Sequence, residues 1–412
     1  MTEPLSPPRK RSPLNRTRLP SQPPAARSRT SHGLTRAAAE GRFAVQRCAH
    51  CGTFCYPARD ICPQCLSTEL PFVDAPTGGK LVSETTVRVP ADVYFRERAP
   101  WRIGLVELDC GPIMVSHLHG DCVEGERVRL SLQLDKSGQA VAFAKPQQET
   151  PAMQDDRQWR ELTADPKFRR VLVTNGRSAV GLAAVDALVK AGARIVHVGV
   201  PENWKPFPEE ERLRALPGVK LVPLDLGDER SVRDLAADIA GKTDILVNTA
   251  EFVRPGGLTD RQGTSFFQME LAETYMGLVH LAQHFGPVMR MRGADGIDSA
   301  AAWVNVLSVY ALANWPSFGA HSAAQAGCLS LSHCLRAELR PGGVKVMNVF
   351  TGPIDGDWFQ TLPPPKVAPR AVADAIVSGL RSGLEEVFVG DVAQDVRRRL
   401  EANPKALERE LS

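Results

Sequence analysis

The chain has 412 residues, 43% hydrophobic and 24% charged, the composition of a folded protein large enough for more than one core. The formal net charge is +3, but residues 1–40 carry +6 and leave −3 on the rest, so the folded body lacks the basic surface that nucleic-acid binding needs. No apolar run is long enough to span a bilayer and no apolar leader opens the chain, which predicts a cytoplasmic protein with no membrane segment.

Residues 1–38 are rich in proline, arginine and serine. Such a stretch buries too little apolar area to offset folding entropy, so it is expected as a disordered basic tail. Its prolines argue against an amphipathic transit helix. The Arg9-Lys10-Arg11 run would at most touch an anionic surface.

Residues 39–70 hold four of the nine cysteines in two pairs, Cys48-Ala49-His50-Cys51 and Cys62-Pro63-Gln64-Cys65. Each C-x2-C pair puts two thiolates on one tight turn. Two such turns complete the tetrahedral four-sulfur shell that zinc favours. Cysteine fills all four positions, so no coordination site stays open and the expected metal is structural zinc. His50 and Cys55 have no role in such a shell.

Residues 71–146 alternate apolar and polar side chains over Lys80–Val89, Arg102–Asp109, Ile113–Leu118 and Arg127–Leu134. Gly and Asp separate the runs, which predicts a small antiparallel barrel. Residues 147–168 are polar and read as a linker. From residue 169 to 412 strands alternate with helices: VLVT, a helix to Lys190, RIVHV, a helix near 230–240, DILVN, a long helix near 264–291, WVNVLS, a helix near 320–340, and VKVMNVF. That alternation predicts an α/β, doubly wound parallel sheet of Rossmann type.

The blocks QRCAHCGTFCYPARDICPQC, GGKLVSETTV and WRIGLVELDCGPIMVSHLHG stand in the order found in the zinc-ribbon OB-fold proteins first grouped as DUF35. The resemblance covers Arg42–Pro146. It implies a rubredoxin-like zinc ribbon followed by an all-β OB barrel. It also implies an accessory role beside a thiolase or thiolase-like aldolase acting on acyl-CoA. The aromatic residues of this stretch (Phe72, Tyr94, Phe95, Trp101, Phe143) are few and come with no basic cluster, so single-stranded nucleic acid is not expected as a partner.

In the second half, Thr174-Asn175-Gly176-Arg177-Ser178-Ala179-Val180-Gly181 follows a buried strand and opens a helix. A dinucleotide pyrophosphate meets a helix N-terminus at such a place. Leu224-Asp225-Leu226 follows the third strand, Asn248-Thr249-Ala250-Glu251 the fourth, Val304–Ser308 is the fifth, and Asn348–Ile354 ends the sixth. This order resembles the short-chain dehydrogenases, with their T-G-x-x-x-G-x-G turn, N-N-A-G and N-x-x-x-P-G-P segments. The resemblance implies cofactor contacts from Thr174, Asn175, Gly176, Gly181, Asp225 and Asn248.

The resemblance also implies a serine, a tyrosine thirteen residues later and a lysine four after that. Ser308 is present, and the other two positions hold His321 and Gln325. The asparagine of the preceding helix is Thr274. In the family the tyrosine exchanges a proton with the substrate oxygen, while the lysine lowers the tyrosine's pKa and holds the nicotinamide ribose. Gln325 has no charge to do this, and His321 is the one replacement whose side-chain type could exchange a proton.

The cofactor turn has changed too. Asn175 and Ala179 replace glycines, the first still able to take a left-handed conformation and the second adding a methyl where phosphate approaches. His197-Val198-Gly199-Val200 supplies neither an acid for a ribose diol nor a base for a 2′-phosphate, and Glu251 brings a carboxylate beside the ligand. These changes disfavour NAD(P).

The leading expectation is a pseudoenzyme, a non-catalytic subunit of an acyl-CoA-processing complex of β-oxidation type. It would form a homo- or heterodimer through its two long helices, with an active short-chain dehydrogenase and a thiolase or aldolase as partners. The apolar stripes expected there are Leu271, Met276, Leu278 and Leu281 on one helix, and Cys328, Leu329, Leu331 and Leu335 on the other. One alternative is an active NAD(P)-dependent oxidoreductase using Ser308 and His321 on a hydroxyacyl- or oxoacyl-CoA. Another is a stand-alone acyl-CoA-binding regulatory module.

Overall fold

The structure, a computed structural model, describes residues 2–7, 20–260, 263–294, 299–356 and 359–411. The Arg9-Lys10-Arg11 run lies outside them. Two compact units are built chiefly from Ser21–Asp165 and from Pro166–Leu380 with the residues after 385. Among the described residues no helix is long and apolar enough to cross a membrane.

In the first unit, α1 (His32–Ala39) precedes a small antiparallel sheet. Its middle strand β1 (Ala44–Arg47) pairs with β2 (Phe54–Cys55) and β3 (Phe72–Asp74). A closed barrel follows: β4 (Gly78–Val87), the short α2 (Val93–Glu97), β5 (Trp101–Leu108), β6 (Ile113–Leu118), β7 (Arg127–Leu134) and β8 (Ala140–Pro146). The strand order is β4-β5-β6-β8-β7, with β7 pairing back to β4. The four expected strands are present to within two residues. The strand β8, which no expected run covered, closes the barrel through the one parallel pairing, with β6. Inward side chains such as Leu81, Val106, Met114, Leu118 and Leu130 are fully buried, as the period-2 pattern requires.

Two expectations about this half are corrected. Residues 1–38 do not all remain a tail, because α1 turns Leu34, Ala37 and Ala38 into the barrel's core. These three lie three and four residues apart, the spacing of one helical face, inside a sequence whose polarity hid it. Residues 147–168 are not a free linker. The helix α3 (Arg157–Leu162) buries Trp159 and Leu162 against Phe143, with the two rings 5.1 Å apart. Asp156 caps it, accepting from Trp159 N at 2.7 Å and from Gly120 N of the barrel at 2.9 Å. The Gln158 amide accepts from Arg102 N at 2.6 Å and donates to Arg102 O at 2.9 Å, as a neighbouring strand would.

The second unit runs β9 (Arg170–Val173), α4 (Ala179–Lys190), β10 (Ile195–Val200), α5 (Glu210–Ala215), β11 (Val219–Pro223), α6 (Glu229–Ile239) and β12 (Ile245–Asn248). It continues with α7 (Ser265–Glu270), α8 (Gly277–Met291), β13 (Ala302–Ser308), α9 (Gly319–Leu339), β14 (Lys345–Thr351), α10 (Pro369–Ser382), β15 (Glu386–Val389), α11 (Gly390–Ala402) and α12 (Pro404–Glu410). The seven strands are parallel, in the order β11-β10-β9-β12-β13-β14-β15. The order reverses between β9 and β12, which puts a ligand-binding switch point at the C-terminal ends of those strands.

The helix expected over 264–291 is interrupted. A π-helical turn, Leu271–Met276, separates α7 from α8. Tyr275 in that turn packs onto Gly327 of α9, where a Cβ would sit 2.8 Å from its ring. The stripes expected to face a partner are also divided. Leu278, Leu281, Cys328 and Leu335 belong to the core, Leu271 and Met276 are exposed, and Leu329 and Leu331 are partly buried.

Trp159 anchors α3 to the barrel, so Trp159→Ala should destabilise the first unit by about 3–5 kcal/mol. Calorimetry should show its transition moving down while that of the second unit stays. Limited proteolysis should cut first within 147–168.

Candidate functional site

The cysteine turns converge as their spacing predicted. The sulfurs of Cys48, Cys51, Cys62 and Cys65 all lie within 4.8 Å of one another. Cys48 and Cys65 Sγ are 3.5 Å apart, and Cys51 and Cys62 Sγ 3.6 Å. A zinc ion with bonds of about 2.3 Å has sulfur–sulfur edges of about 3.8 Å, so the donor set fits a structural zinc. The backbone supports the turns: Gly52 N donates to Cys48 O and Leu66 N to Cys62 O, each at 3.0 Å. Residues Gly52 and Leu66 both take a left-handed conformation, with φ of 76° and 61°. Cys55 lies outside the four-sulfur group, its thiol directed to Thr53 O at 3.7 Å.

The second site lies at the switch point of the parallel sheet. Thr174, at the end of β9, donates from Oγ1 to Asn248 Oδ1 at 3.0 Å and accepts from Thr249 N at the same distance. Ser178 caps α4, accepting from Gly181 N at 3.0 Å. A Cβ on Gly181 would lie 1.8 Å from Asn175 O, so this turn requires glycine there. Thr174, Asn175, Gly176, Gly181 and Asn248 are thus brought together. Asn175 does not use the left-handed conformation open to it. It accepts at Oδ1 from Arg177 N at 3.0 Å instead. Asp225 is exposed on the loop after β11, where Oδ1 accepts from Gly227 N at 2.9 Å.

The tetrad positions are only partly assembled. Gln325 Oε1 accepts from Ser308 N at 3.0 Å, and Ser308 Oγ accepts from Tyr310 N at 3.2 Å. These two residues line one cavity with Thr249, Glu251, Thr351 and Ile354, and its volume is about 10 Å³, room for one water. His321 does not line that cavity. It is fully buried, and its Nδ1 lies 3.0 Å from Oε1 of Glu270, which is buried as well. Its Nε2 has no hydrogen-bond partner among the described residues. The stacked rings of Tyr310, Trp315 and Phe318 stand nearby, with Phe359 edge-on to His321 at 6.3 Å. Thr274 sits in the π turn, buried, its backbone oxygen accepting from Cys328 Sγ at 3.5 Å. Burial pushes the Glu251 carboxyl above the usual carboxylate range. A charged His321 opposes that shift and Glu270 adds to it.

Glu270 was not among the residues expected here. It stands four residues before Thr274, on the same helical face, and that spacing was the available signal. Arg177 was also missed. Its guanidinium donates to Glu202 O at 3.0 Å and to Lys205 O, and it lies 5.0 Å from the Phe207 ring.

Comparisons with known proteins agree with this division. Residues 169–366 match the family described as short chain dehydrogenase. Residues 35–71 match the ChsH2 rubredoxin-like zinc ribbon domain, and residues 72–133 the ChsH2 C-terminal OB-fold domain. An uncharacterized oxidoreductase of Mycobacterium tuberculosis is 30% identical over 238 residues, 53% of this chain and 67% of that one. The probable galactose dehydrogenase GalD of Rhizobium meliloti is 30% identical over 200 residues, 46% of this chain and 73% of that one. Among solved structures, a short chain dehydrogenase from Burkholderia cenocepacia in complex with NADP is 29% identical with a TM-score of 0.53, covering 59% of this chain and 97% of that one.

The purified chain should carry one zinc per molecule by atomic emission. Cys62→Ser should lose more than half of it, because its sulfur is fully buried in the shell. A structural zinc contributes on the order of 10 kcal/mol to folding, so the ribbon around β1–β3 should then become protease-sensitive.

Proposed function

Because the chain belongs to the short-chain dehydrogenase family, with a ChsH2-type zinc ribbon and OB fold joined on its N-terminal side, we propose that it is a non-catalytic subunit of an acyl-CoA-processing complex. The supporting observation is that two of the three replacements in the tetrad, those of the tyrosine and the lysine, are consumed internally. Gln325 is spent on Ser308 N, and His321 on Glu270. Its other ring nitrogen is buried, with no hydrogen-bond partner among the described residues. Hydride transfer to or from a carbonyl needs a proton donor at the substrate oxygen, and general acid–base catalysis is worth about 10²–10⁴ in rate. Among the residues that line the cavity with Ser308, none supplies a cation to lower a donor's pKa.

The outer face of the second unit supports a partner role. Phe266, Met269, Leu271 and Met276 are each 40–47% exposed along α7 and the π turn. Between α8 and α9 runs a groove of about 460 Å³ lined by Val279, Ala282, Gly286 and Leu331. On this reading an active dehydrogenase subunit, or a second copy, covers that face, while the ribbon and barrel engage a thiolase or aldolase. Oxidation of a 3-hydroxyacyl-CoA and cleavage of the resulting 3-oxoacyl-CoA are consecutive steps. A chain that tethers both enzymes would keep the intermediate local.

A second reading is favoured by one contact. A carboxylate that orients an imidazole, as Glu270 does His321, is the arrangement that prepares a histidine for proton transfer. An active oxidoreductase would then use His321 beside Ser308, with NAD(P) as in the relative solved with NADP.

Affinity capture of the tagged full chain from its native host should recover an intact short-chain dehydrogenase and a thiolase or aldolase. The captured complex should oxidise 3-hydroxyacyl-CoA, and the chain alone should not. Leu331→Arg should cut recovery of the dehydrogenase by about tenfold, a cost of about 1.4 kcal/mol. Recovery of neither enzyme defeats the proposal. Turnover by the chain alone that His321→Ala abolishes establishes the second reading.

A further inference from the structure

We propose that the Rossmann unit takes no dinucleotide, because the residues present at both ends of the cleft do not fit one. This deepens the non-catalytic reading but is separable from it, since a subunit without catalysis can still bind a nucleotide.

At the adenosine end, the second strand of a dinucleotide fold normally offers a carboxylate to the ribose diol or leaves room for an arginine beside a 2′-phosphate. Here β10 ends in Gly199-Val200. A Cβ at Gly199 would lie 2.4 Å from Thr174 O and 2.7 Å from the Leu224 side chain. Gly199 O is itself occupied, accepting from Gly176 N at 2.7 Å, so the phosphate turn is laced directly to the strand that should hold the ribose. Arg177 then bridges from the same turn to the segment after β10, bonded to the carbonyls of Glu202 and Lys205 and set against Phe207. A guanidinium so engaged is held by carbonyls, not presented to a phosphate.

At the nicotinamide end the cavity that the described residues line beside Ser308 is about 10 Å³, against the several hundred that a bound small molecule occupies. Gln325 stands where a lysine would hold the second ribose, and its oxygen is committed to Ser308 N. Glu251 occupies the glycine position after β12 and lines the same cavity. Burial favours its neutral form, and a dinucleotide bringing two phosphate charges would raise that preference further. On the far side of the serine loop, α11 and α12 add Val396 and Leu407 to a cluster with Val309, Tyr310 and Ala313.

The test uses the full chain with NAD⁺, NADH, NADP⁺, NADPH and ADP-ribose, each at about 1 mM, by thermal shift and titration calorimetry. A site with a Kd of about 10 µM would gain about 2.7 kcal/mol under these conditions, a rise of roughly 5–10 °C for a domain of this size. The expected result is no shift beyond about 1 °C and no saturable heat with any of the five. Saturable binding of any dinucleotide overturns the inference. Binding of ADP-ribose alone overturns the misfit at the adenosine end. Binding with partners recovered and no turnover removes this inference and leaves the proposed function standing. No binding with no partner recovered does the reverse.

Discussion

A carboxylate and an imidazole, both withdrawn from water, join α7 to α9 through Glu270 and His321. A buried pair of this kind is held by its mutual contact, and removal of either member strands the other in a medium that cannot solvate it. One turn further along α9, Gln325 reaches the backbone of Ser308, and the next turn sends the Cys328 thiol to the carbonyl of Thr274. Three successive turns of one helix are thus stitched to the elements that would otherwise border an open site. The interrupted helix follows from the same constraint, since the π turn brings Thr274 and Tyr275 against α9 where Gly327 leaves room.

The two halves reach order by different physics. The ribbon has few apolar side chains of its own, and Cys48, Cys55, Cys62 and Leu70 make up its small buried cluster. It therefore depends on metal ligation. The barrel next to it relies on inward-facing aliphatics and on two borrowed helices, α1 and α3, that cover its apolar surface. Gln158 contributes without apolar area, because its amide satisfies both backbone groups of Arg102 at once. The second unit needs neither device. A seven-stranded parallel sheet covered by helices buries a core large enough to stand alone, with a polar chain at its centre from Trp303 through Asn305 and Ser332 to Asn348.

Much of this was legible before any coordinates. The cysteine spacing specified the metal turns, because two ligands three residues apart share one turn. Period-2 runs located four barrel strands, and the alternation of strands with helices located the parallel sheet. Counting from Ser308 identified His321 and Gln325 as the replaced positions. What stayed hidden had a common cause. Helices α1 and α3 are short and set among polar residues, so their apolar faces leave little periodic signal, and only tertiary contact with the barrel reveals them. The fifth strand, β8, buries Ala142, Phe143 and Ala144 in succession, so it lacks the alternation that located the other four. The apolar stripes of α8 and α9 were read as one face, but a helix between a sheet and solvent has two, and Leu278 and Leu281 turned out to face the sheet. Partners distant in sequence were not readable at all. Glu270 and His321 are separated by 51 positions, and no local pattern ties them.

The crowding around Gly199 bears on what a single substitution there can do. Restoring an acidic side chain there by one substitution would drive its first carbon into the carbonyl of Thr174 and the side chain of Leu224. The backbone of the phosphate turn has to move before the substitution is tolerated, and that turn is held by Gly176 on Gly199 and by Arg177 on the loop beyond. A single acidic substitution at Gly199 therefore requires the phosphate turn to give up its present shape.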